Sequence, residues 1–219
     1  MTGGSAGIGA AIARMLVEEG FQLTIASRRR EHLDAAGRAL GEIHAVQGDV
    51  GREEDCARIV AAHRERFGRL DLLVNSAGVL SAGLIEETPT DEWDRLLAVN
   101  TRAAFLMMRL SLPLLRESRG LVVNLASIAG KEGNPTLAAY GASKAALISL
   151  TMSFNEEVEA DGIRATALCP GFVDTAMGEY SGLPGERMIR PDDCAEVVRM
   201  LLRLGPHARV PEVVVERLG

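Results

Sequence analysis

Short apolar runs alternate with longer amphipathic stretches along the whole chain. The runs stand at Phe21–Ala26 (FQLTIA), Ile43–Val46, Leu70–Val74 (LDLLV), Leu121–Leu125 (LVVNL), Ile163–Leu168 (IRATAL) and Glu212–Glu216 (EVVVE). Nearly continuous apolar or β-branched runs of this length read as strands buried on both faces. Between them apolar residues return every three or four positions, as in Ile59/Ala62 and Leu96/Val99. That spacing predicts helices over Gly9–Glu18, Arg30–Leu40, Glu53–Phe67, Asp91–Glu117, Tyr140–Ala160 and Asp192–Leu204. Gly20, Gly41, Gly68, Gly120 and Gly162 fall just past a helix or before a strand, where helix-ending glycines belong. Strand–helix alternation with apolar strands predicts an α/β fold: a doubly wound, Rossmann-like parallel sheet in a single domain over residues 1–219.

The expected first strand is missing from this pattern. Only Met1 and Thr2 precede Gly3, where a doubly wound fold usually feeds a strand into its glycine turn. In the strand order 3-2-1-4-5 that strand is central, so FQLTIA and LDLLV should face a gap with unpaired backbone edges. The pattern predicts poor stability, or a gap filled by a shifted or borrowed strand. It also predicts roughly six to ten further apolar residues upstream.

Composition narrows the function classes. Of 219 residues, 47% are hydrophobic and 25% charged, enough for a large core and unlike a disordered chain. A net charge of -6 and a pI near 5.3 argue against nucleic acid or an anionic membrane as the main partner. No apolar run approaches the roughly 18 residues of a membrane span, and no basic-then-apolar leader opens the chain. The expected location is the cytoplasm. Cys56, Cys169 and Cys194 are too scattered for a disulfide framework. His32, His44, His63 and His207 are equally isolated, so no metal site is expected.

Two motifs carry chemistry. The segment Thr2–Gly9 reads TGGSAGIG, a G-x-x-x-G-x-G turn that matches neither a P-loop nor G-x-G-x-x-G. Its glycines allow the backbone to approach a pyrophosphate at a helix N-terminus, although alone it also fits a tight turn. Farther on, Tyr140 and Lys144 stand four apart on a helix and face the same way. A cation near a phenol lowers its pKa from about 10. Such a tyrosine can protonate a carbonyl oxygen or deprotonate an alcohol. Ser127 lies just past the strand LVVNL, on the side of the sheet where α/β proteins bind ligands. The competing reading is a core tyrosine and a solvated lysine.

Taken with Gly48-Asp49-Val50, Asn75-Ser76-Ala77-Gly78, Asn100, and Pro170-Gly171 followed by Thr175, these motifs make the sequence resemble the short-chain dehydrogenase/reductase family. The resemblance covers essentially the whole chain except the first strand. It implies a tetrad in which Tyr140 is the general acid/base and Ser127 hydrogen-bonds the substrate oxygen. Lys144 would hold the nicotinamide ribose and lower the tyrosine pKa, and Asn100 would fix a water in the proton relay. It places Gly3, Ser5, Gly7, Ile8 and Gly9 at the pyrophosphate, and Asp49 and Val50 at the adenine. Asn75, Ala77 and Gly78 would lie beneath the cofactor, with Pro170, Gly171, Val173 and Thr175 beside the carboxamide. NSAG stands where NNAG is commoner in the family.

The residues after FQLTIA bear on cofactor choice. An acidic residue there would pair with the ribose of NAD, whereas this chain has Ser27, Arg28 and Arg29. Guanidinium groups bind phosphate in a forked geometry, so NADP(H) is expected over NAD(H), which stays possible. Arg28 is the first choice for the 2′-phosphate; a solvated basic turn is the alternative. The expected substrate is a small carbonyl or secondary alcohol, with Met177, Tyr180, Leu183 and Met188 suggesting an apolar lining. The ending PEVVVERLG lacks the glycine-rich close common in 3-oxoacyl carrier-protein reductases.

Two other classes remain open: an NADP(H)-binding regulator or sensor with weak catalysis, and an epimerase or dehydratase. The long helices carry Phe105, Met107, Met108, Leu110, Leu147, Leu150 and Phe154, more apolar surface than one sheet face should cover. With the family resemblance this implies a homodimer or homotetramer.

Overall fold

A computed structural model describes residues 1–218. Six strands form: β1 (Thr24–Ser27), β2 (His44–Gln47), β3 (Leu72–Asn75), β4 (Leu121–Leu125), β5 (Arg164–Pro170) and β6 (Glu212–Val215). All pair in parallel, β2 with β1 and then β3-β4-β5-β6. Seven α-helices connect them: α1 (Gly7–Glu18), α2 (Arg30–Leu40), α3 (Glu53–Phe67), α4 (Thr90–Leu97), α5 (Ala103–Ser118), α6 (Ala138–Glu157) and α7 (Pro191–Arg203).

Every residue of β3 and β4 is buried, as their mostly apolar sequences suggest, with Asn75 and Asn124 the buried polar exceptions. On one face Ile12 and Leu16 of α1, Leu33 of α2 and Val198 and Leu201 of α7 pack over Ile25, Val123 and Leu168. On the other, Cys56 and Ile59 of α3, Met107, Met108 and Leu115 of α5 and Phe154 of α6 cover Leu73, Val122 and Ala165. Helices on both faces force the active edge of the sheet to its ends, since neither face is free.

Met1 and Thr2 lie between β1 and β3. Thr2 forms parallel bridges to Ala26 and to Asn75. Its N–H donates to the Val74 carbonyl at 2.9 Å, and the Ala26 N–H donates to the Met1 carbonyl at 3.0 Å. The expected gap is therefore bridged at its carboxyl end. Toward the other end lies a cavity of about 610 Å³ lined by Leu16, Phe21, Leu23, Leu70, Leu72 and Val74 among others. Both predicted flanking strands are shortened on that side: Phe21–Ala26 becomes a strand only from Thr24, and Leu70–Val74 only from Leu72.

Two further expectations are corrected. The single helix Asp91–Glu117 is two helices joined by a π-helical turn, Ala98–Arg102. A π turn bonds i to i+5 and widens the helix, so apolar spacing on either side reads as continuous. The supposed surplus of apolar surface is mostly internal. Met107, Met108, Leu147 and Phe154 are buried in the core, while Phe105 is 42% exposed. Both α5 and α6 pack on one face of the sheet, which covers more of their apolar surface than the pattern allowed.

Candidate active site

One cavity of about 620 Å³ runs across the carboxyl ends of five strands. Its walls come from Ser27–Arg29 at the end of β1, Gly48–Val50 after β2, Ser76–Leu80 after β3, Ala126–Ala129 after β4 and Gly171–Val173 after β5. This is where parallel α/β sheets place ligands, because only there do loops converge free of covering helices. The volume is that of an ordinary small-molecule site.

The glycine turn forms one end. Gly3 has φ +64, and a Cβ there would stand 2.6 Å from the Ala77 nitrogen. A Cβ on Gly9 would lie 2.2 Å from the Gly3 carbonyl oxygen. Only glycine lets the turn, the β3 loop and α1 approach so closely. Helix α1 starts at Gly7 behind Ala6, with no side-chain cap on its first N–H groups. Its positive end and Gly3, Ser5, Gly7, Ile8 and Gly9 all face the cavity. That donor set suits the pyrophosphate of a dinucleotide.

Near β1 and β2 the cavity is lined by Ser27, Arg28, Arg29, His32, Asp49 and Val50. Arg30 is held by Asp34 at 2.9 Å. Among the described residues Arg28 and Arg29 form no ion pair. Asp49 is occupied within its own turn, accepting the Gly51 N–H at 2.9 Å.

The reactive groups meet at the middle. Ser127, Tyr140 and Lys144 all line the cavity and all are buried. Ser127 caps the short helical turn after β4, its hydroxyl oxygen accepting the Ala129 N–H at 3.2 Å. Lys144 Nζ donates to the Leu125 carbonyl at 2.6 Å and stands 5.8 Å from the centre of the Tyr140 ring. Burial pushes the Tyr140 phenol up from its ordinary value, and a hydrogen bond with Ser127 pulls it partly back. Burial also brings Lys144 down to about 8. The expected lowering of the phenol by Lys144 is thus not what dominates: desolvation acts on both groups and holds the tyrosine neutral.

Asn100 and Asn75 lie off the cavity wall. Asn100, on the π turn, accepts the Val79 N–H at 2.8 Å and donates to the Val79 carbonyl at 2.9 Å and to Ser143 Oγ at 3.0 Å. It locks the β3 loop to α6, behind Gly78. Asn75 is buried in the sheet, donating from Nδ2 to Asn124 Oδ1 at 2.8 Å. Ala77, Gly78, Pro170, Gly171, Val173 and Thr175 do line the cavity. So do Leu80, Ile128, Leu137, Phe172, Met177 and Tyr180, a mostly apolar wall near the reactive groups. Of the four residues expected there, Met177 and Tyr180 face the cavity; Leu183 and Met188 do not line it. Sequence reasoning missed His32, Glu132 and Asn134, which line it from a helix and a loop without any motif. No group of residues able to hold a metal occurs among the described residues.

A dinucleotide-type turn leading to a buried Ser–Tyr–Lys set defines a nicotinamide-dependent oxidoreductase. A family profile described as short chain dehydrogenase matches residues 1–183, and the chain belongs to the short-chain dehydrogenase/reductase family. It is 33% identical over 218 residues to an uncharacterized oxidoreductase of Staphylococcus aureus (strain USA300), covering 98% of this chain and 94% of that protein. A similar oxidoreductase of Staphylococcus epidermidis is 32% identical over 217 residues, with the same coverage of both chains, 98% and 94%. An alcohol dehydrogenase from the archaeon Thermococcus sibiricus, complexed with 5-hydroxy-NADP, superposes with a TM-score of 0.92 at 31% identity, covering 99% of this chain and 94% of that one. A 3-ketoacyl-(acyl-carrier-protein) reductase from Brucella melitensis, complexed with NADH, gives 0.91 at 27% identity, covering 98% and 94%. No helix among the described residues is long and apolar enough to cross a membrane.

Proposed function

We propose that the protein transfers hydride between NADP(H) and the carbonyl or secondary alcohol of a small, mainly apolar substrate. The observation that carries this reading is the convergence of Ser127, Tyr140 and Lys144 on the cavity that also holds the glycine turn. The turn and the open end of α1 would hold the pyrophosphate, and Asp49 and Val50 the adenine. Arg28 and Arg29, uncommitted to any acidic partner, would take a 2′-phosphate, which favours NADP(H) over NAD(H). When bound, the nicotinamide supplies or accepts the hydride.

The chain's own residues manage the proton. Ser127 orients the substrate oxygen toward Tyr140. The neutral phenol, held so by burial, donates its proton to that oxygen as charge develops there, or takes it back from an alcohol in reverse. Lys144, fixed by the Leu125 carbonyl, offers a cation that stabilises the tyrosinate left behind. Asn100 acts at a distance by holding Val79 and Ser143 in place. The apolar wall of Leu80, Ile128, Leu137 and Phe172 selects against charged substrates, because burying an unpaired charge there is costly.

Oxidation of NADPH and of NADH against a panel of small ketones and aldehydes tests the reading. NADPH consumption dependent on an apolar carbonyl supports it; binding of NADPH with no consumption across the panel favours a sensor. We also propose a homodimer or homotetramer paired through α5 and α6, supported by the exposed Phe105. A monomer in light scattering at micromolar concentration contradicts that assembly.

A further inference from the structure

The segment between β5 and α7 is a loop with a closed neck. The Ile189 N–H donates to the Phe172 carbonyl at 2.9 Å, and the Asp174 N–H donates to the Ile189 carbonyl at 2.9 Å. Near the neck the loop is compact: the Gly178 N–H reaches both the Thr175 carbonyl, at 2.8 Å, and Thr175 Oγ1, at 3.1 Å. Its far side is attached to the rest of the protein differently. Tyr180, 44% exposed, has its hydroxyl 2.5 Å from Thr136 Oγ1, across 44 residues of sequence.

Thr136 is an unusual residue for such a contact. Its φ is +68, a left-handed conformation that β-branched residues rarely adopt. Backbone held in that region marks places where the surroundings impose a geometry, and such places cluster at sites of function. Here the surroundings are visible. The Thr136 carbonyl accepts the Gly83 N–H at 2.8 Å, tying it to the β3 loop. The next residue, Leu137, caps α6 and accepts the Gly141 N–H at 2.7 Å, one residue beyond Tyr140. Thr136 thus joins three walls of the cavity: the β3 loop, the first turn of the catalytic helix and the β5–α7 loop.

We propose that Thr136 and Tyr180 form a latch that positions the β5–α7 loop over the reacting groups, and that substrate binding depends on its closure. The latch rests on the proposed carbonyl chemistry only for what it encloses. Tyr180 and Met177 line the cavity from this loop, so releasing the hydroxyl pair frees the wall that faces the substrate while Ser127, Tyr140 and Lys144 stay in place. Tyr180 and Thr136 are positioning residues; neither exchanges a proton with substrate.

Trypsin reads the latch without turnover. Within the loop, Arg187 precedes Met188 and gives a cleavable bond, whereas Arg190 precedes Pro191 and resists. Tyr180→Phe and Thr136→Val each remove one hydroxyl and keep the shape. In the full-length protein each should speed cleavage after Arg187 by about tenfold, and the double variant should go no faster than either alone. Thr136→Ser should cleave as wild type. With the best carbonyl of the panel, Tyr180→Phe should raise KM about tenfold and change kcat less than threefold. Cleavage of both single variants within twofold of wild type overturns the latch. A protein that oxidises no NADPH but shows the tenfold cleavage difference contradicts the proposed reaction and leaves the latch standing.

Discussion

The ammonium of Lys144 donates to the carbonyl oxygen of Leu125 at 2.6 Å, so the last residue of β4 fixes the lysine of α6. Two residues beyond Leu125 stands Ser127, and one helical turn before Lys144 stands Tyr140. A single strand end and a single helix face therefore set the whole reactive group, and small shifts between them act on all three residues together.

Lys144 is held at a cost that depends on pH. Burial lowers it from 10.5 to about 8 in the folded protein. Between these values the unfolded chain binds more protons, so stability rises with pH through that window; below about 8 the burial cost is fully present. Lys144→Met removes the titrating group. The stability of wild type relative to Lys144→Met should improve by about 3 kcal/mol from the lower to the upper end of the window. Urea unfolding midpoints of both proteins across that range check it, and parallel curves contradict it.

Arg28 should govern the choice between cofactors. Arg28→Glu should weaken NADPH binding by roughly 1.5–3 kcal/mol, the scale of a charge-assisted hydrogen bond, and leave NADH nearly unchanged. Fluorescence titration with both nucleotides measures the pair of affinities. Equal weakening of both makes Arg28 a structural residue.

Asn100 should matter for the fold as much as for the rate. Its side chain satisfies both backbone groups of Val79 and reaches Ser143. Asn100→Ala leaves those groups without partners and should cost about 1–3 kcal/mol of stability. Denaturant melts should show the loss even where nucleotide affinity is retained. An unchanged midpoint means the Val79 groups find other partners.

Much of this was legible in the sequence, for reasons that differ by residue. LVVNL forms a strand over the predicted Leu121–Leu125 because a run buried on both faces admits little else. Tyr140 and Lys144 fall on one helix face because helical spacing is a local property. The π turn at Asn100 was hidden, since one widened turn leaves the apolar spacing on either side intact. Thr136 was hidden because its positive φ sits on a residue that gives no sign of it. The ordinary rule that a nearby cation lowers a phenol misjudged Tyr140, because burial is a property of the assembled core. Likewise the pattern could not tell that Met107 and Phe154 would both be buried on one face of the sheet, beside α3.

The central claim is that Tyr140 moves the proton. Tyr140→Phe removes one hydroxyl from a buried ring and leaves the glycine turn, Arg28 and Lys144 unaltered. Turnover of NADPH with the best carbonyl of the panel, measured beside NADPH affinity, tests the claim most directly. Turnover should fall by about 10²–10⁴-fold, the usual contribution of a positioned acid or base, with affinity nearly unchanged. Activity within tenfold of wild type would contradict the account.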